Sequence, residues 1–315
     1  MSQPDISIII ATRNREKILW QTVNKACRAV EKKNAEIIIV SDDDVTLDIP
    51  VLFAGKINYF DNPKRGVSSA RNFGTLNAKG SILFFIDDDM WVNSEIIDWI
   101  NANLVKKKNT AAAYLVDWEY PASLNKILAQ SKIGRYLLST GYNTMWGRMH
   151  QEGKKPATGL YKYNVIGSGS LVIEKKIFEQ SGMYNESIVF QGEDIDLSKR
   201  INDLSIPIFC VFDTTLHHNQ EDRLDLDGYL QRDNNGYRTQ FMAEKAGLIS
   251  SSVSHYTRTM ICIFEIFRRT EKAWIGLYKL IPNYRFFLPL TNRLTGILSG
   301  LQRYKQWRNI IGSNK

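Results

Sequence analysis

The sequence predicts an α/β protein built on a doubly wound, mostly parallel central sheet flanked by helices, with a helical basic C-terminal extension. Three observations carry this. Short, continuously apolar, β-branched runs recur along the chain, as in strands buried on both faces. Segments with helical periodicity lie between them, the alternation that builds parallel sheets. Beyond about residue 220 the strand-like runs stop, while apolar, aromatic and basic residues continue at helical spacing.

The elements follow in order. "ISIIIA" (Ile6–Ala11) is the first buried strand, broken by "TRNREK". Leu19, Val23, Ala26, Cys27 and Val30 then repeat at helical spacing, which predicts a helix over about Glu16 to Lys33. "EIIIV" (Glu36–Val40) and "KINYF" read as the second and third strands. "GVSSARNFGTLNAKG" reads as a turn, a serine N-cap and a helix ending at Gly80. "ILFFI" (Ile82–Ile86) is the fourth strand, Ser94 caps a helix to about Lys106, and "AAAYLV" is the fifth strand. Periodicity weakens over 119–165, a variable insertion suited to shaping a cleft. It returns with the strand "GSGSLVI", the helices "EKKIFEQSG" and "GEDIDLSKRIND", and the strand "IPIFCVF". Residues 1–220 are thus expected as one domain and 221–315 as a helical region.

Bulk properties narrow the class. With 43% hydrophobic and 23% charged residues over 315, the composition is globular. The three cysteines, Cys27, Cys210 and Cys262, lie far apart in apolar stretches with no metal-type spacing, as expected of reduced thiols. "MSQPDISIII" lacks the layout of a signal peptide. No apolar run approaches the roughly 20 residues that span a bilayer. The expected location is cytoplasmic, or peripheral on the inner face of the plasma membrane. The net charge of +8 is concentrated in 255–315, where eleven Lys or Arg face two Glu.

Ligands of doubly wound sheets bind beyond the carboxyl ends of the strands. Two such ends carry aspartate triplets, Asp42–Asp43–Asp44 and Asp87–Asp88–Asp89. Adjacent carboxylates repel, and a divalent cation offsets that repulsion; Mg²⁺ and Mn²⁺ take oxygen ligands, often one or two carboxylates plus phosphates. Strand alternation would turn Asp87 and Asp89 to one side and Asp88 aside. An acidic turn capping the next helix is the plain alternative. "GED" (Gly192–Asp194) sits at a helix start, where the dipole favours acids; a carboxylate fixed there also suits a general base. His217 and His218 follow an apolar strand and are either structural or ligands. "RGVSSARN" (Arg65–Asn72) combines a glycine turn, a helix start and two arginines. That suits either a phosphate site or an ordinary surface helix.

In this order these elements resemble the family 2 nucleotide-sugar glycosyltransferases of the GT-A fold. The resemblance runs from about Ile6 to Asn219 through "IIIATRNR", "IIIVSDD", "GVSSARN", "FFIDDD", "GSGSLVI", the shortened "SGMYNES", "GEDIDLSKRI" and a terminal histidine. It implies an inverting, metal-dependent transfer of one sugar from a nucleotide diphosphate donor, a UDP-sugar by preference, to a hydroxyl of a glycan or lipid-linked acceptor. Ala11, Thr12 and Arg13 would line the base and ribose, Arg71 the base or phosphate, and Asp87 the ribose, with Asp88 beside them on the nucleotide. Asp89, with Asp87 and His217 or its rival His218, would hold Mn²⁺ or Mg²⁺. Asp194 would be the catalytic base and Glu193 a partner to the acceptor hydroxyl. Where the family has Asp-Asp-Gly-Ser, this chain has "SDDDV", so Asp42 or Asp43 stands at the base-reading position. Two rival functions remain: a nucleotidyltransferase, whose glycine- and lysine-rich loop "ATRNREK" does not supply, and a non-catalytic sugar- or nucleotide-binding module.

The basic tail admits several partners. Its helices suit the headgroup plane of an anionic membrane; they also suit packing on the catalytic domain or on a second copy in a homo-oligomer. No nucleic-acid motif accompanies the charge. "QRYKQW" departs from the Gln-x-x-Arg-Trp motif of processive family members, so single addition is expected.

Overall fold

The computed structural model describes residues 3–107, 111–149, 154–188, 192–222, 225–245 and 256–312. They fall into two compact units. The first comprises 1–119 and 152–219, the second 120–151 and 220–315. The segment 120–151, expected as part of a cleft insertion in the first domain, thus groups with the C-terminal helices.

The first unit is a sheet of nine strands. Its N-terminal half runs β1 (Ile6–Thr12), α1 (Glu16–Ala29), β2 (Ala35–Ser41), β3 (Asn58–Asp61), α2 (Val67–Asn77), β4 (Ile82–Asp87), β5 (Met90–Trp91) and α3 (Ser94–Ile100). Its C-terminal half runs β6 (Ala113–Glu119), β7 (Leu160–Tyr163), β8 (Ser170–Glu174), α7 (Lys175–Gln180), α8 (Glu193–Asp203) and β9 (Ile208–His218). The spatial order is β3-β2-β1-β4-β8-β6-β9-β5, with β7 also paired to β9.

β1, β2, β3 and β4 pair in parallel. From β8 onward the sheet is mixed: β8 is antiparallel to both β4 and β6, β6 is parallel to β9, and β5 and β7 are antiparallel to β9. Ile6, Ile8, Ile9 and Ile10 of β1 are fully buried, as are Leu83, Phe84 and Phe85 of β4. That is why these strands read as unbroken apolar runs rather than alternating ones. Leu19, Val23 and Ala26 of α1 close one face with Ile96, Ile97 and Ile100 of α3.

Two caps differ from the sequence reading. α3 is capped by Asn93, whose side chain accepts from the Ile96 N–H, and not by Ser94. α2 starts from Gly66 without a side-chain cap.

The second unit is helical: α4 (Ala122–Leu128), α5 (Lys132–Ser139), α6 (Met145–Arg148), α9 (Leu226–Lys245), α10 (Arg258–Arg269), α11 (Glu271–Leu280) and α12 (Leu288–Gly312). Leu294, Leu298, Leu301 and Tyr304 of α12 are buried. Their spacing of three and four residues forms the apolar stripe of a packed helix. α10 has no buried residue.

Candidate active site

The registers bring several strand ends together. Ala11 pairs with Val40 on one side and Asp87 on the other, so the tips of β1, β2 and β4 lie side by side. After β1 the chain turns through Asn14 at φ 54°, a left-handed conformation asparagine tolerates better than most residues. The Asn14 N–H donates to Asp43, and the turn sends Arg15 toward the second triplet.

The first triplet holds its own loop. Asp42 is buried and accepts from the Asn62 side chain at 2.7 Å and from the Gly66 N–H at 3.1 Å. Arg13 and Arg65 approach it at 4.0 and 3.9 Å. Asp43 accepts from Ser41 Oγ at 2.8 Å. Asp44 is exposed and pairs with Arg65 at 2.5 Å.

The second triplet divides differently from the expected alternation. The strand ends at Asp87, and Asp88 and Asp89 form a turn, so a period of two no longer applies. Asp87 remains partly exposed and accepts from Arg71 Nη2 at 3.0 Å. Asp88 is not turned aside from Asp89. Both are buried, and Arg15 bridges them, Nη1 to Asp88 and Nη2 to Asp89 at 2.9 Å. Thr12 Oγ1 donates to Asp88 at 2.8 Å. Burial, then the charge of Asp89, pushes Asp88 above the usual carboxylate range despite Arg15 and Thr12.

Arg71, itself buried, ties Asp87 to the start of α8. Its Nη1 donates to Glu193 at 3.1 Å, and it lies over the Tyr184 ring at 5.3 Å. Burial opposes its charge, but Tyr184, Asp87, Glu193 and Asp194 more than offset that, and its pKa lies above the ordinary arginine value. α8 begins at Gly192, whose φ of 100° favours glycine.

Next to Glu193, Asp194 accepts from the Ser168 N–H at 3.2 Å and from Ser168 Oγ, which is 2.5 Å from the Tyr184 hydroxyl. Burial raises Tyr184, so it stays a neutral donor. Burial and the Glu193 charge raise Asp194 to about 7, against the opposing pull of Arg71 and Ser168. The neighbouring Gly169 leaves room that a side chain would take: a Cβ there would come within 2.6 Å of Asp87 Oδ2.

The histidines are the last two residues of β9, not residues beyond it. β5 pairs antiparallel with that end, Met90 with His218 and Trp91 with His217. His217 is exposed. His218 is buried, packs edge-on against Trp118 at 4.8 Å, and places Nε2 at 3.1 Å from Asp89 Oδ1. The Asn219 N–H donates to the Asp89 carbonyl at 2.7 Å. His218, rather than His217, is therefore the histidine that meets the triplet.

Asp89 and His218 offer a carboxylate oxygen and an imidazole nitrogen, a donor set Mn²⁺ accepts. Among the described residues no three His, Cys, Asp or Glu side chains converge as a closed cage. This pair fits a cation whose remaining ligands are phosphate and water, and Asp87, engaged by Arg71, is not beside it in the described contacts. Two grooves of about 620 and 550 Å³ open elsewhere, one among α9–α12 and one behind α2; neither contains Asp89 or Asp194.

Residues 7–140 match the model of the family described as "Glycosyl transferase family 2". Over that stretch, less than half of the chain, the sequence is similar to the family 2 glycosyl transferases. An uncharacterized glycosyltransferase of Rickettsia typhi is 27% identical over 197 residues, 62% of this chain and 57% of that protein, so the chain spans little more than half of this relative. A Campylobacter jejuni protein named GalNAc(5)-diNAcBac-PP-undecaprenol beta-1,3-glucosyltransferase is 30% identical over 120 residues, 36% of this chain and 37% of that one. Among solved structures, a mannosyltransferase from Pyrobaculum calidifontis, in complex with GDP-Man and Mn²⁺, superposes with a TM-score of 0.55 at 12% identity, over 96% of this chain and 88% of that one. The chain thus shares the GT-A fold that its sequence elements resemble.

Sequence reasoning missed Arg15, Ser168 and Tyr184. Arg15 had a signal, a second arginine after Asn14 in "TRNR". Ser168 lay in the "GSGS" stretch without a role.

Proposed function

We propose that this protein is an inverting, metal-dependent glycosyltransferase that moves one sugar from a nucleotide diphosphate donor, a UDP-sugar, to a hydroxyl of a glycan or lipid-linked acceptor in cell-surface polysaccharide synthesis. The observation that carries the reading is Arg71, which joins the strand-tip carboxylate Asp87 to Glu193, beside Asp194. One guanidinium thereby links the strand end, where ligands of such sheets bind, to a carboxylate held ready for a proton. The family match, the name of the Campylobacter relative and the donor in the Pyrobaculum structure support the same class.

In this reading Asp194 takes the proton from the acceptor hydroxyl, held by Ser168 and backed by Tyr184. Its raised pKa matches the task near neutral pH. The hydroxyl attacks the anomeric carbon from the face opposite the leaving phosphate, so configuration inverts in one displacement. Arg71 and Arg13 offer positive charge to the nucleotide, and Ala11 and Thr12 line it at the β1 tip. Asp42 or Asp43 faces the base, with Asp42 also bound to the 62–66 turn. A divalent cation held by Asp89 and His218 would neutralise charge on the diphosphate leaving group. Asp194→Asn is expected to lower transfer by about 10²–10⁴-fold while nucleotide-sugar binding, read by calorimetry, persists. Unchanged turnover removes Asp194 from the role.

We further place the helical unit on an anionic membrane surface, where a lipid-linked acceptor would be found. No helix among the described residues is long and apolar enough to cross a membrane. On α10, Met260, Ile263 and Ile266 are exposed, as are Arg258 and Arg269, and Lys272 at the start of α11 is exposed too. Residues 246–255 and 313–315 of this region lie outside the described residues. Replacing Ile263 and Ile266 with glutamate is expected to reduce co-sedimentation with phosphatidylglycerol vesicles. Equal binding by the variant points instead to packing against a second copy.

A further inference from the structure

The acids proposed to face the cation already have one. Arg15 forks across Asp88 and Asp89, with its side chain 11% exposed and the two carboxylates 8% and 2% exposed. An arginine shared between two adjacent buried carboxylates offsets their mutual repulsion and fixes their separation. We infer that Arg15 is the resident counter-ion of the cation site: it holds Asp88 and Asp89 in place until a divalent ion arrives, and its Nη2 arm then leaves Asp89 Oδ2. The inference rests on the metal-dependent reading above.

Charge and geometry give it its direction. The Arg15 guanidinium already stands against Asp89, beside His218. A divalent ion at Asp89 with Arg15 still in place would set two cations a few ångströms apart at low dielectric. Arg15 and the ion are therefore competitors for Asp89, though not for Asp88, which Thr12 also holds.

Arg15 is placed to yield. It stands at the N-cap of α1 without a capping side-chain bond, directly after the left-handed Asn14. A nucleotide diphosphate brings the negative charge that a displaced guanidinium can take up. Cation and donor binding are thereby coupled through this one side chain.

A structural role and a competing role predict opposite signs. If Arg15 only supported the carboxylates, its loss would weaken cation binding. As a competitor, its loss strengthens it.

The test is Mn²⁺ titration of the full chain without nucleotide, by calorimetry or by the paramagnetic signal of free Mn²⁺. Arg15→Gln is expected to bind Mn²⁺ about tenfold more tightly than the wild type, as removal of a like charge at this range implies. The added Asp89→Asn change should abolish the gain. The variant should also melt lower in metal-free buffer and recover more of its melting temperature with Mn²⁺ than the wild type does. Should Arg15→Gln not fold, Arg15→Lys keeps a point charge but cannot fork to both carboxylates, and a smaller gain in Mn²⁺ affinity is expected of it. Equal or weaker Mn²⁺ binding by the folded variant, with binding by the wild type, overturns the role of Arg15 and leaves the cation reading standing. No Mn²⁺ binding by either protein, with or without UDP, overturns both.

Discussion

The two aspartate triplets are alike in sequence and opposite in structure. In the first, exposure rises along the triplet, from a 7% exposed Asp42 side chain to a 77% exposed Asp44. In the second it falls, from 43% at Asp87 to 2% at Asp89. The cause is the path of the chain beyond each triplet. After Asp44 the chain leaves the sheet for a loop before returning at β3. After Asp89 it re-enters the sheet at once as β5, and the last residues of β9 close over the turn. The first triplet therefore spends its buried carboxylate on the Gly66 turn. The second keeps two buried carboxylates, met by the Arg15 guanidinium, the His218 imidazole and the Thr12 hydroxyl. Strand-end acids are buried together when the chain folds back on them.

This contrast can be broken at both ends. The largest effect is expected at Asp89. Asp89→Asn should lower transfer by about 10²–10³-fold and abolish the activation of transfer by Mn²⁺, measured in steady-state assays. A small loss would detach the second triplet from the chemistry.

Next is the pH profile. As the proposed base, Asp194 would work ionised, and its raised pKa would put the acid limb of the transfer rate near pH 7: the rate should climb tenfold per unit below it and level off above. Ser168 favours the ionised form, so Ser168→Ala should move that limb to higher pH. The sign for stability is the reverse. A raised carboxylate pKa means the fold holds this proton more tightly than the unfolded chain does. Ionising Asp194 therefore costs stability as pH rises from about 4 toward about 7, and Asp194→Asn should flatten that slope in urea melts.

The smallest effects belong to the first triplet. Asp42→Ala leaves the Gly66 N–H without its acceptor and should cost about 1–3 kcal/mol by urea denaturation. Asp44→Asn should change neither stability nor transfer. A catalytic loss at Asp44 to rival that at Asp89 would erase the distinction between the triplets.

Much of this was legible in the sequence, and for a physical reason. Strands buried on both faces must be apolar throughout, so β1, β2 and β4 announced themselves, and with them the tips that carry the acids. The helix start at Glu193 was marked by its glycine and acids. What stayed hidden was long-range pairing. β5 is two residues long, and nothing local says that Met90 will pair with His218; yet that pairing decides which histidine is buried against Asp89. The same holds for Arg15, whose partners lie 73 and 74 positions away, and for the turn at Asp88, where strand alternation gave the wrong neighbour. The mixed half of the sheet was hidden likewise, because direction is a property of the connection and not of the strand's own residues.

The central claim is that the second triplet and the start of α8 serve a single reaction. A crystal of the protein grown with UDP and Mn²⁺ tests it most directly. The account predicts an anomalous Mn²⁺ peak on Asp89 and His218, with the β-phosphate on the side of Arg71 and Asp194. A peak on Asp42–Asp44, or a diphosphate bound away from Arg71, would contradict it.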